Sequence, residues 1–187
     1  MKRILCFILL AVICFMAGSC SKKSDDVAIP DGMKLISEED DLFYFFVPNE
    51  WTGDRGYGNP YAFVSGSDNS NVNVMFHLLS EAPETDGTRK PYIEAYWTEF
   101  ENSVEKGFYS YSLIESECKD TTLGGGDIYA KQYVYTVKNM ASEEYKCRAV
   151  VTWYGQMICC LTYTSSVENY DSHAADVDKI IAEFKFK

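Results

Sequence analysis

Two apolar runs near the C-terminus constrain this chain more than any other feature. Residues 145–153 read Tyr-Lys-Cys-Arg-Ala-Val-Val-Thr-Trp and residues 157–164 read Met-Ile-Cys-Cys-Leu-Thr-Tyr-Thr. Short runs rich in β-branched and aromatic side chains, broken by a glycine, are strands of a hairpin. Neither run alternates cleanly between polar and apolar residues, and strands of that kind are covered on both faces. A turn at Tyr154-Gly155 sets Cys147 opposite Thr162 and Cys159 opposite Val150, which keeps those two thiols apart.

A sheet with two dry faces needs a layer on each side. Two amphipathic segments supply them. The first carries Pro91 in its opening turn, where proline is tolerated, then Tyr92, Ile93, Tyr96, Trp97, Phe100 and Val104 at three- and four-residue steps, with Gly107 placed to end it. The second has Ser165 and Glu168 spaced as a capping box and an apolar stripe of Val167, Tyr170, Ala174, Val177, Ile180, Ile181 and Phe184. Further strands are expected at residues 42–47, stopped by Pro48, and at 61–64, 71–79, 108–117 and 128–137, the last after a turn at Gly124-Gly125-Gly126. The expected fold class is α/β (α+β): an α/β/α sandwich with a central, mainly antiparallel sheet flanked by two amphipathic helices.

The N-terminus is of a different kind. Lys2 and Arg3 precede an uncharged run, residues 4–16, and then Ala17-Gly18-Ser19 before Cys20, the order of an export signal. A membrane-spanning helix needs about 20 apolar residues, more than this run provides. Ala17-Gly18-Ser19-Cys20 resembles the lipobox of bacterial lipoproteins, with Ala17 where that family usually carries Leu. The resemblance implies cleavage before Cys20, covalent lipid (a diacylglycerol and palmitate-type chains) on its sulfur, and attachment to the cell membrane on the extracytoplasmic side. The expected division is a signal peptide over residues 1–19, a lipidated cysteine and flexible tether over 20–40, and a domain over 41–187.

Charge and cysteine usage narrow the functions. With 28 acidic against 17 basic residues the net charge is −11, which repels phosphate backbones and argues against nucleic acid as a partner. Of the seven cysteines, Cys6 and Cys14 leave with the signal and Cys20 carries lipid. Cys118, Cys147, Cys159 and Cys160 remain, inside apolar strand patterns, and read as small core residues; at least one disulfide is the alternative in an exported chain.

A further resemblance rests on the strand ending Val47-Pro48 followed by Trp51, on Asn71-Val72-Asn73-Val74, on the glycine turn before residues 128–135, on the late hairpin, and on Ile180-Ile181-Ala182-Glu183-Phe184-Lys185. Together they resemble the Mog/PsbP superfamily, specifically PsbP-like bacterial lipoproteins, over roughly residues 40–187 and by pattern rather than invariant motif. The resemblance implies an α/β/α sandwich that docks onto larger assemblies: the plant member is an extrinsic photosystem subunit and a eukaryotic relative binds a small GTPase. It implies no catalytic motif and no cofactor.

Candidate chemistry is sparse. The two histidines, His77 and His173, fall in a strand and in the terminal helix, outside any recognisable nucleophile elbow. No Cys-x-x-Cys pairing suits zinc. Asp68-Asn69-Ser70-Asn71 lacks the central glycine and final glutamate of a calcium loop. The segment from Trp51 to Tyr61 stands out for binding: Trp51, Tyr57 and Tyr61 lie among glycines with Arg55, and aromatic bodies with polar tips anchor interfaces. The expectation is a non-enzymatic binding or assembly module at the cell envelope, with a possible envelope protein partner, no cofactor and no metal. The alternatives are a thiol-based redox or metal-binding protein using the four cysteines, and a small envelope hydrolase using His77 or His173.

Overall fold

The late apolar runs become the two central strands of an eight-stranded antiparallel sheet in the computed structural model, which describes residues 27–56, 58–66 and 68–187. Twelve strands are present among these residues: β1 Met33–Leu35, β2 Phe43–Tyr44, β3 Phe46–Pro48, β4 Thr52–Gly56, β5 Asn59–Phe63, β6 Asn71–His77, β7 Ser110–Leu113, β8 Lys119–Leu123, β9 Ile128–Lys138, β10 Glu144–Tyr154, β11 Met157–Ser166 and β12 Lys185–Phe186. The helices are α1 Lys90–Gly107 and α2 Ala174–Glu183. The main sheet runs β4-β5-β6-β11-β10-β9-β7, and β8 pairs with the other end of β9.

Each face carries its own core, as the unbroken burial of Ile158, Cys159, Cys160 and Leu161 requires. On one face α2 presses Val177, Ile180 and Phe184 against Val72, Val74, Leu161 and Val150, helped by the small pairings β1-β3 and β2-β12. On the other, α1 presses Ile93, Tyr96, Trp97 and Val104 against Tyr133, Tyr135, Ala149 and Val151. Trp97 lies flat on Tyr133, with ring centres 3.7 Å apart, a geometry that contributes about 0.5–1.5 kcal/mol beyond area burial. The architecture is the expected sandwich with a mainly antiparallel sheet.

Several local expectations are corrected. The glycine-rich stretch after Trp51 is a hairpin, β4 against β5, rather than a loop; Gly53 permits it, since a Cβ there would meet Ile36 Cγ2 at 2.6 Å. The connection through Asp120 holds a strand of its own, β8. The chain from Val27 onward already packs on the domain, and β1 pairs with β3, so ordered structure begins before residue 41. No capping box forms: Ser165 is buried in β11 and bonds Ser70 Oγ at 2.7 Å, while α2 starts at Ala174 after a single 3-10 turn, Tyr170–His173. Val167, assigned to the apolar stripe, is exposed.

The hairpin register is shifted by two residues. Tyr154 pairs with Met157, leaving Gly155 and Gln156 as the turn, so Cys147 faces Thr164 and Cys159 faces Thr152. Gly155 has φ of 65°, and glycine in the first central position suits the primed turns that match strand twist. The expected signal peptide, residues 1–19, and Cys20 lie outside the described residues.

Candidate functional site

The face of the sheet under α1 is only partly roofed. Helix α1 packs on β7, β9, β10 and β11, and the same face continues beyond it onto β6 and β5. Residues two apart on a strand share a face. Tyr61 and Phe63 of β5 therefore lie beside Asn73 and Asn71 of β6, with Met75 and His77 further along. Tyr61 and Phe63 stack at 5.9 Å and are half-buried; Met75 is exposed. Tyr61 donates its hydroxyl to Asp54 Oδ2 at 3.0 Å, a bond that raises the phenol's pKa. The result is a flat strip with aromatic rings at one side, asparagines along it and the α1 flank as a wall.

Where this strip meets α1 it deepens into a cleft of about 220 Å³, lined by Met75, His77, Tyr96, Phe100, Cys160 and Thr162 among others. His77 lies against the Tyr96 ring at 5.1 Å, and burial lowers its pKa, so the ring is neutral at neutral pH. Burial likewise pushes the Cys160 thiol up, partly offset by hydrogen bonds from Thr162 and Tyr96. Another cleft, about 870 Å³, opens at the start of α1. There Tyr92 stacks on Trp153 at 4.2 Å, Arg89 Nε donates to the Trp153 carbonyl, and Tyr129 donates to Asp120.

The residues singled out in the sequence separate. Trp51 is 1% exposed and belongs to the core on the α2 side, so it is no surface anchor. Arg55 grips Asp41 with both terminal nitrogens, at 2.6 and 3.1 Å, and also donates to the Gly58 carbonyl. Burial acts to raise the Asp41 pKa, but the Arg55 hydrogen bonds, the Glu38 backbone N–H and the Arg55 charge outweigh it and hold the carboxyl below its ordinary value. Arg55 thus clamps the β4-β5 hairpin to the segment before β2. Tyr61 lies on the open strip. Tyr57 lies outside the described residues. Phe63, Met75 and His77 complete the strip and carried no signal of their own; the alternation of 61 with 63, and of 71, 73, 75 and 77, locates them once the pairing is known.

Among the described residues no hydrolytic arrangement forms around His173. Its Nε2 is 2.9 Å from Asp68 Oδ2, and Ser70 bonds to Asp68 rather than to the imidazole. Ser70 is fully buried, so the order serine, carboxylate, imidazole joins the β6 entry to α2 and offers no nucleophile beside a base. The four domain cysteines are free thiols, three of them buried. Among the described residues no three His, Cys, Asp or Glu side chains gather for a metal.

One antiparallel sheet with a helix on each face defines the class, an α/β/α sandwich. No protein-family model matches the chain, and no curated protein does. Solved structures do share the fold. The cyanobacterial PsbP protein CyanoP from Synechocystis aligns with a TM-score of 0.58, over 92% of this chain and 99% of its own, at 17% identity. PA94 of Pseudomonas aeruginosa, a protein of unknown function, aligns at 0.53 over 81% and 94%, at 16% identity. A Bacteroides thetaiotaomicron protein aligns at 0.50 over 84% of this chain and 49% of its own, at 15% identity. The fold is PsbP-like.

Proposed function

We propose that this chain is an exported lipoprotein, held at the extracytoplasmic face of a membrane through lipid on Cys20. Its sandwich acts there as a non-enzymatic binding module for an envelope protein. The observation that carries the binding reading is the open strip: the stacked Tyr61 and Phe63 beside exposed Met75, on a sheet face that α1 leaves unroofed. Rigid aromatic rings ringed by polar groups are favoured contact points between proteins. A net charge of −11 favours a partner with basic residues around that contact. The leader, with Lys2 and Arg3 before an uncharged run and Cys20 after small residues, supports the address, and two acyl chains give stable anchoring where one is marginal. Among the described residues no helix is long and apolar enough to cross a membrane.

The test uses the full chain in cells. A photo-crosslinking side chain at Phe63 yields a protein adduct that is absent when the same group stands at Leu42, exposed beside β2 on the opposite layer. Equal adducts at both positions, or none, sink the binding reading. Cys20→Ala moves the protein out of the membrane fraction; unchanged partitioning sinks the anchor.

A further inference from the structure

We propose that Met75, His77 and Cys160 form a binding site for a soft monovalent metal ion, copper(I), where the cleft beside α1 opens onto the sheet. Met75 and Cys160 are direct partners across β6 and β11, and His77 stands opposite Ile158, two residues further along. Because side chains two apart on a strand share a face, the thioether, the imidazole and the thiol all project on the α1 side and line one cleft. Directly opposed residues hold their Cβ atoms about 4.5–5.5 Å apart and diagonal neighbours about 7–8 Å. With metal–sulfur and metal–nitrogen bonds of about 2–2.3 Å, one ion between the three side chains is within reach of each. Cys159 cannot join them, since it pairs beside Phe76 on the other face and belongs to the other core.

The donor set selects the ion. Thiolate and thioether are soft ligands that favour copper(I), imidazole also suits copper, and magnesium and calcium require oxygen. Zinc sites take cysteine, histidine and carboxylate rather than thioether, and no carboxylate lines this cleft. The surroundings suit an ion of low charge. Trp97, Phe100, Tyr135 and Ala149 form apolar walls, and the His77 ring is held against Tyr96 at 5.1 Å. Thr162 Oγ1 lies 3.3 Å from Cys160 Sγ, and the Tyr96 hydroxyl also hydrogen-bonds that sulfur. Both hydroxyls can donate to the sulfur once the metal is bound, the outer support that orients ligands. On binding, the sulfur–hydrogen bond breaks, a sulfur–copper bond forms, and the proton passes to solvent. Copper stays in the same oxidation state throughout. The site is independent of Cys20 and of any protein partner.

The test titrates the reduced full chain, in detergent and without oxygen, with copper(I) against a competing bathocuproine chelator. The parent chain retains one equivalent against the competitor, and Cys160→Ser loses it. Because Cys160 is buried, Met75→Leu and His77→Gln are the decisive variants: they leave every thiol in place, and Met75 is exposed, so the volume-conserving change spares the fold. Each weakens retention by about tenfold or more, on the scale of perturbed metal sites. Parent-like affinity in both variants, or no copper(I) held by the parent chain, overturns the site.

Discussion

Trp51 Nε1 donates a hydrogen bond to Asp176 Oδ2 at 3.2 Å, tying the residue three places after Pro48 to the first turn of α2. The indole also meets the His173 ring edge-on, at 5.6 Å and 85°. Both contacts close the α2 layer over the sheet. A tryptophan in a glycine-rich stretch thus serves packing here, while Tyr61 and Phe63 lie half-buried on the opposite face.

Replacing Trp51 separates its ring from its N–H. Trp51→Ala removes a large buried side chain and costs about 3–5 kcal/mol. Trp51→Phe keeps most of the burial and gives up one hydrogen bond to a carboxylate, for about 1.5–3 kcal/mol. Chemical denaturation of both variants measures the order, and an equal loss in the two would show that the indole body contributes nothing. Crosslinking from Phe63 is unchanged in Trp51→Phe, because the indole is on the other side of the sheet.

Acid should act on the fold through Asp68. Its carboxylate accepts hydrogen bonds from the Ser70 backbone N–H at 3.0 Å, from the Ser70 hydroxyl and from His173. Burial acts to raise its pKa, but these bonds outweigh it and the folded value lies below the ordinary 3.8. A depressed carboxyl pKa contributes stability that is fully present above 3.8 and is lost as pH falls through the folded value. Asp68→Asn therefore flattens the fall in stability below about pH 4. Parallel acid curves for variant and parent would contradict this linkage.

The same contacts show what the amino-acid sequence reveals and what it hides. The stripe Ile93, Tyr96, Trp97 and Val104 predicts α1 and its buried face because a 3.6-residue period is local information. The doubly buried β10 and β11 are equally plain from their unbroken apolar runs. Ser165 and Glu168 mislead because their spacing is also local, whereas Ser70, 95 positions away, holds the Ser165 hydroxyl. The strand Thr-Gly-Asp-Arg-Gly has weak strand propensity and exists because β5 pairs with it. Tyr61 is visible as a candidate, but its neighbours Phe63, Met75 and His77 join it only through pairing. Likewise the meeting of Met75 with Cys160 depends on the pairing of β6 with β11, strands about 80 positions apart that no local signal aligns.

The thiols should react in order of burial. Cys147, Cys159 and Cys160 are 3%, 0% and 5% exposed, and burial raises the pKa of each, so the reactive thiolate is scarce and shielded. Cys118 is half-buried. A disulfide reagent followed by mass spectrometry labels Cys118 first, and the other three at the rate of domain opening. Prompt labelling of Cys159 would show that the α2 core is not closed.

The hairpin register offers a test in which a covalent bond reports geometry. Cys147 faces Thr164 across β10 and β11, with Sγ and Oγ1 3.6 Å apart. Disulfides need Cα atoms about 4.4–6.8 Å apart, and directly opposed residues of an antiparallel pair lie about 4.5–5.5 Å apart. Thr164→Cys therefore forms a bond to Cys147 under mild oxidation, found by peptide mapping. A turn at Tyr154 and Gly155 would instead place Thr162 opposite Cys147, so Thr162→Cys is the control, and in that variant Cys147 stays reduced. The two outcomes are exclusive because a two-residue shift moves the partner by about 6–7 Å along the strand, beyond disulfide reach without backbone movement. A bond from Cys147 to position 162 would place the turn one residue earlier, at Tyr154 and Gly155, and set Cys159 opposite Val150 instead of Thr152.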